Sequence, residues 1–446
     1  MKKVLFVTYY WPPSGKASLH WPLDMIKYLP EHNWQPAVLT AKEDTFSHKD
    51  DSLLEAVNRN LVVVKTNSLE PFNIYKKFLG KSKDEALVAS ETISHTRKDL
   101  KHRLAVWIRM NLFIPDARIG WYFPSIKEGK NFLTGNYFDA MVSVGPPHTS
   151  HLIAKKLGKV FRIPHIPVFI DPWTDIVYYK NHKRNKVTLA IDNYLEKAVL
   201  TNAKKVVFVT ETMRSDYVKK YNWLKNKSYV LYWGYDENAF KFLSSHSSDK
   251  SGQASPEEGR ILSQNLQSDE EVLLHAGNIF DYQNPKRLWK LIRQMIDNGR
   301  KIKIKFIGTV GPEIRKSIVE NALSEFTNYA GFLSYSDMLN ELFSANYLMV
   351  CASEPRHVPG KLFEYLRSGK PIIAFGNGNE EVKDILTKAN AGMLFGYEQD
   401  GHEFFESTNK FNTDISFVRK FDRRNIAHQL AEIFNDMRRQ QNNNLV

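Results

Sequence analysis

The sequence predicts an α/β protein made of two successive doubly wound domains, and three patterns lead there. Short apolar runs that do not alternate with polar residues recur along the chain, as strands covered on both faces of a parallel sheet require. Between them lie segments with apolar residues at helical spacing. The β-α-β rhythm stops near residue 243 and restarts near residue 270, so the pattern is played twice.

Taken in order, residues 4–8 form the first expected strand. Leu19, Leu23, Ile26 and Leu29 then fall at helical spacing, and residues 37–40 form the second strand. Runs 61–64, 140–144, 168–170 and 206–209 continue the series, with helices over 148–157 and 189–200. Residues 68–115 break the rhythm as a basic insertion studded with aromatics and partly helical. Residues 243–269 are rich in Ser, Gln, Glu and Gly and read as a solvated linker. Strands follow at 272–276, 302–307, 347–350, 372–375 and 393–395, with helices over 288–296, 338–343, 362–366 and 382–386. The expected domains are 1–234 and 271–420, joined by 235–270, and a C-terminal helix within 421–446 packs back on the first domain.

A chain of 446 residues with 42% hydrophobic and 25% charged residues is folded over most of its length and long enough for two or three cores. The lone Cys351 cannot form an internal disulfide, and its apolar surroundings make it a buried thiol rather than a nucleophile. No run reaches the ~18 apolar residues of a membrane span. The short first run flows into Tyr9-Tyr10-Trp11-Pro12-Pro13, so it reads as a strand and not a signal peptide, and the expected compartment is the reducing cytoplasm. The net charge of +13 suits nucleic acid, an anionic membrane surface or phosphorylated ligands.

The strongest chemical pattern is Val358-Pro359-Gly360-Lys361-Leu362-Phe363-Glu364-Tyr365-Leu366-Arg367-Ser368-Gly369. Pro359-Gly360 forces a turn into a helix, whose free N–H groups and partial positive charge suit a diphosphate. Lys361 adds a full charge there, and Glu364, one turn on, can accept hydrogen bonds from two vicinal ribose hydroxyls. On pattern alone the same residues also describe a solvated helix with a Lys–Glu pair. The loop Tyr9 to Lys16 follows the first strand, where ligands bind in doubly wound sheets, and Gly15 lets backbone approach one closely. It fits an ordinary strand-to-helix turn as well. Asp171 ends an apolar strand, as a catalytic carboxylate does, or caps a helix ahead of Pro172. His148, after Gly145-Pro146-Pro147, is a candidate base or a packing residue. No His/Cys/Asp/Glu set has metal-ligand spacing, and no phosphate-binding Walker loop or Gly-x-Ser-x-Gly turn occurs, which argues against hydrolase and kinase chemistry.

In this order, Tyr10 to Gly15, Trp34 to Thr40, Pro115 to Trp121, Gly145 to His151, Asp171 to Thr174, Ala276 to Ile279, Gly331 to Leu333 and Pro359 to Leu366 resemble the GT-B glycosyltransferases. More closely they resemble the bacterial family 4 enzymes of surface-polysaccharide synthesis. The resemblance implies two Rossmann-like domains facing a central cleft. It implies a nucleoside-diphosphate sugar, a substrate and not a cofactor, in the C-terminal domain. Glu364 would bind the ribose and Gly360 and Lys361 the diphosphate. Gly277 would belong to the donor site, Lys286 or Arg287 would add positive charge at the phosphates, and the backbone of Phe332 and Leu333 would face the base. A glycan or lipid-linked acceptor would lie in the N-terminal domain near Gly15, Lys16 and Trp173, with Asp171 and His148 lining the cleft as catalytic groups beside Lys361. Family 4 enzymes retain anomeric configuration mainly by stabilising the leaving group, which lysines and a helix N-terminus can do without a metal.

Three positions depart from the family pattern. Arg356 stands where the first of two paired glutamates is usual, Lys16 replaces a second glycine, and Gln283 occupies the place of a frequent arginine. A catalytically impaired homologue, a sugar-nucleotide epimerase on the same scaffold and a basic nucleic-acid-binding protein are the alternatives. Nucleic acid fits poorly, since no recognised motif accompanies the charge. In the insertion, Leu100, Leu104, Trp107 and Ile108 recur at helical spacing among Lys101, Arg103 and Arg109, which fits docking on the inner face of the cytoplasmic membrane, or a helix packed on the protein's own core with its charges solvated.

Overall fold

The computed structural model describes residues 1–46, 49–69, 100–174, 184–241 and 270–443. Most of the expected linker and of the basic insertion, with Phe72, Tyr75, Lys76, Lys77, Phe78, Leu79, Lys81, Lys83, Arg97 and Lys98, therefore lies outside the described residues. The chain forms two compact units, the first from Met1–Leu231 with Ala427–Val446 and the second from Tyr232–Ile426.

The first unit holds seven strands: β1 (Lys2–Val7), β2 (Trp34–Ala41), β3 (Val62–Thr66), β4 (Ala140–Gly145), β5 (His165–Phe169), β6 (Val206–Phe208) and β7 (Ser228–Val230). They lie in the order β3-β2-β1-β4-β5-β6-β7, and every pair is parallel. The second unit holds β8 (Glu271–Ala276), β9 (Ile302–Ile307), β10 (Thr327–Gly331), β11 (Tyr347–Cys351), β12 (Ile372–Phe375) and β13 (Gly392–Phe395). Their order is β10-β9-β8-β11-β12-β13, again parallel throughout. These are the two Rossmann-like α/β units expected from the sequence. Each sheet is laid down outward in one direction and then outward in the other. That leaves a switch point between β1 and β4 in one unit and between β8 and β11 in the other, where ligands bind in such sheets.

Burial explains why the strands read as continuous apolar runs. In the second sheet Leu274, Ala276, Leu348, Val350, Ile372 and Ala374 pack into one core. Their neighbours Leu273, Met349, Cys351, Ile373 and Phe375 pack into a separate core on the other face. Cys351 is a free, buried thiol, pushed up to about 12 by burial. The Arg423–Asn443 helix buries Leu430, Phe434 and Met437 in the first unit, where the Phe434 ring meets Trp34 edge-on at 4.8 Å. Among the described residues no helix is long and apolar enough to cross a membrane.

Candidate active site

The site in the second unit is built from the two loops that leave its switch point. Gly277 directly follows β8 with φ +102°, a conformation that strains any residue with a Cβ. A Cβ there would stand 2.7 Å from Lys361 Nζ and 3.1 Å from Cε, so the lysine head occupies the space that the glycine leaves. Lys361 opens the Lys361–Ser368 helix after the β11 loop. Its ammonium lies 3.1 Å from His275 Nε2, and burial pushes its pKa down to about 8. Among the described residues no carboxylate lies within ion-pair distance of it. Gly360 caps the helix with ordinary helical dihedrals, and a Cβ there would make only van der Waals contact with Trp233.

Glu364 sits one turn further along. The Tyr335 hydroxyl donates to its Oε1 at 3.3 Å and Arg423 lies 3.7 Å away, with the carboxylate only 12% exposed. Phe332, past the end of β10, is 88% exposed, whereas Leu333 packs on the core. Lys286 and Arg287 begin the Lys286–Asp297 helix, both exposed, with Arg287 3.9 Å from Glu398. The structure thus brings Gly277, Lys361 and Glu364 together at the β8–β11 switch point and leaves Lys286, Arg287 and Phe332 on the surface.

The two departures on this side have structural places. Gln283 is buried: its amide donates to the Cys351 carbonyl at 2.9 Å and its Oε1 accepts from the Phe280 N–H at 3.1 Å. It clamps the loop after β8 onto the end of β11, with its side chain turned inward. Arg356 pairs with Glu354 at 3.4 Å in a loop that Asn379 fastens, its amide donating to the carbonyls of Glu354 and His357.

In the first unit Gly15 and Lys16 follow a turn closed by Ser14 N–H to the Trp11 carbonyl at 2.9 Å. Burial, then the Arg118 and Arg109 guanidiniums, lowers the pKa of Lys16. These cations gather beyond β1, with Arg118 5.0 Å over the Tyr9 ring. Asp171 lies two residues beyond β5 and is partly exposed. His148 and Trp173, by contrast, are 2% and 1% exposed and stack on one another at 4.8 Å. Burial pushes His148 down to about 3, so it is a neutral imidazole with little basicity.

Sequence reasoning missed what holds that stack. Trp173 Nε1 donates to Asp192 at 2.8 Å, and Asp192 pairs with Arg184 at 2.6 Å. The Trp173 N–H donates to the Tyr217 hydroxyl, which donates to Glu196, itself paired with Lys220 at 2.6 Å. Asp192 and Glu196 recur at i, i+4 in the Lys186–Asn202 helix, spacing that by itself looks like a solvated acidic face.

Residues 270–414 match the model of a family described as "Glycosyl transferases group 1". No curated protein sequence matches the chain. Among solved structures, Anabaena HepE in complex with UDP and glucose is 15% identical, with TM-score 0.60 over 98% of this chain and 100% of that one. Sucrose-phosphate synthase from Thermosynechococcus elongatus is 12% identical, with TM-score 0.60 over 98% and 99%. The lipopolysaccharide outer core galactosyltransferase WaaB is 12% identical, with TM-score 0.55 over 98% and 99%. Likeness this distant establishes architecture. By the family match in its second unit and by the fold of both, the chain is similar to the GT-B glycosyltransferases.

Proposed function

We propose that the chain transfers a glycosyl unit from a nucleoside-diphosphate sugar, held in the second unit, to a glycan or lipid-linked acceptor held in the first, in polysaccharide biosynthesis. The observation that carries this is the buried Lys361 ammonium beside the bare Gly277 backbone at a switch point. A buried cation with no carboxylate in ion-pair range among the described residues is suited to a phosphate. The UDP and UDP–glucose complexes of HepE support the same ligand class. Glu364 would take the ribose hydroxyls, Gly360 and Lys361 the diphosphate, and the Phe332–Leu333 backbone the base. Lys286 and Arg287 would add charge at the rim, and Lys16 and Asp171 would meet the acceptor near Gly15.

In the reaction the C1–O bond to the diphosphate breaks and a C1–O bond to the acceptor forms on the same face, with retention. The acceptor proton leaves with the departing phosphate. Lys361 and the helix N-terminus stabilise the charge that develops on the diphosphate, so no divalent metal is required.

A thermal-shift screen against UDP-, GDP- and dTDP-sugars tests the reading, because a true donor raises the melting temperature by mass action. Glu364→Ala should then weaken nucleotide binding by about 1.5–3 kcal/mol, as lost charged hydrogen bonds do. Unchanged calorimetric affinity would remove the donor site. Turnover should survive EDTA, and rescue by magnesium or manganese would contradict metal independence.

The enzyme would work in the cytoplasm, on the inner face of the membrane. Leu104, Trp107 and Leu112 are 49%, 48% and 62% exposed on the Leu100–Leu112 helix, which also bears Arg109. Flotation with anionic vesicles at low salt tests this, and a Trp107→Glu variant that floats like wild type would exclude it.

A further inference from the structure

His275 has no role in the reading above, yet its setting is unusual. It lies in β8 between Leu274 and Ala276, 2% exposed in the centre of a parallel sheet. A polar ring there is costly unless its nitrogens are satisfied. Nδ1 lies 2.9 Å from the Met349 carbonyl, across the strand pair that flanks the switch point. The Asn278 carbonyl also faces the ring, but the Lys361 ammonium can only donate, so Nε2 presents its lone pair and Nδ1 carries the proton. That lone pair faces the Lys361 ammonium at 3.1 Å. Burial and then the Lys361 charge hold the ring pKa well below its usual value, which keeps it a neutral acceptor.

Lysine is a point charge on a flexible stem, so an ammonium that must meet a phosphate gains from a fixed partner. His275 takes one of its three N–H groups, and no other hydrogen-bond partner of that ammonium occurs among the described residues. We propose that His275 is a positioning residue: it accepts a hydrogen bond from Lys361 and holds the ammonium over the Gly277 backbone, aimed at the donor's diphosphate. This rests on the donor-site reading.

Four groups face Lys361: His275 from β8, Cys351 from β11, His357 from the following loop and Glu364 on its own helix. Cys351 is pushed up to about 12 and His357 down to about 4, so neither changes charge near the Lys361 value of about 8. An acceptor stabilises the ammonium; removing it lets the lysine lose its proton at lower pH.

The test is calorimetric titration of UDP into the full chain across pH. Wild-type affinity should fall as pH rises through about 8. His275→Phe, which fills the ring volume without an acceptor, should bind UDP about tenfold more weakly at neutral pH and shift that fall to lower pH. His275→Gln, which keeps an acceptor, should restore both. In a Lys361→Met background, His275→Phe should cost nothing further. Equal loss in both backgrounds, or an unmoved pH midpoint, would show that the histidine only packs. His275→Leu serves if His275→Phe melts below the assay temperature. A wild-type chain that binds neither UDP nor GDP overturns the donor site itself, and this proposal with it.

Discussion

Replacing Gly277 by alanine should injure the chain in two separable ways. The first is backbone strain: at φ +102° a residue with a Cβ costs about 1–3 kcal/mol. The second is local. The new methyl would stand 2.7 Å from Lys361 Nζ, and the ammonium must give way, because it is the far end of a flexible side chain. Moving it breaks the 3.1 Å contact with His275 and pulls the charge off the switch point. Gly299 supplies the control. Its φ is +95°, so alanine there carries similar strain, but nothing lies within 4 Å of its Cβ position. Both variants should lose about 2 kcal/mol in urea unfolding, a fall of about 4–8 °C in melting for a unit of this size. Only Gly277→Ala should also lose about tenfold in UDP affinity. If Gly277→Ala binds UDP like wild type, or Gly299→Ala loses as much, then the position of Lys361 does not govern donor binding.

Acid should destabilise the first unit. His148 and His165 are buried neutral, both down to about 3 from 6.5, so the native state binds fewer protons than the unfolded one between those values. Stability therefore falls as pH drops through that window, by about 4 kcal/mol at pH 5 for the two groups, and a flat urea midpoint from pH 7 to 5 would contradict it. Asp192→Asn keeps an acceptor for Trp173 but removes the charge that balances Arg184, whose side chain is 5% exposed, and should cost about 3–5 kcal/mol in urea unfolding. A cost under about 1 kcal/mol would mean that the pair is no pillar of the His148–Trp173 stack.

Most of the fold was legible because most strands are buried on both faces. The run expected over 302–307 is β9 itself, and that over 372–375 is β12. The two strands missed, β7 (SYV) and β10 (TNYAG), are both outermost in their sheets, where partial exposure lets polar residues in and the apolar signal fades. β5 was placed late, since His165 and Pro167 disguise its start. In the candidate site, Lys361 and Glu364 could be paired by helical spacing. The approach of Lys361 to Gly277 and His275 spans 84 and 86 positions, set by sheet order rather than by any local pattern. From the sequence, Gln283 is no more than the residue standing in the place of a frequent arginine on the loop after Gly277. Only the fold shows it turned inward.

The first unit is written in two pieces of sequence, with the whole second unit between them. Until the ribosome has passed residue 437, β1 and β2 lack the helix that brings Phe434 onto Trp34, Asn435 onto Lys2 at 2.6 Å and Arg438 to within 3.4 Å of Asp139. The nascent first unit must therefore wait, with an apolar flank open, while some 195 residues of the second are made and can fold. A stop codon near 426 would spare every residue of the proposed donor site and still release a first unit that cannot close. Such a fragment should be found with chaperones or in aggregates, and supplying residues 423–443 in trans should bring it back into solution.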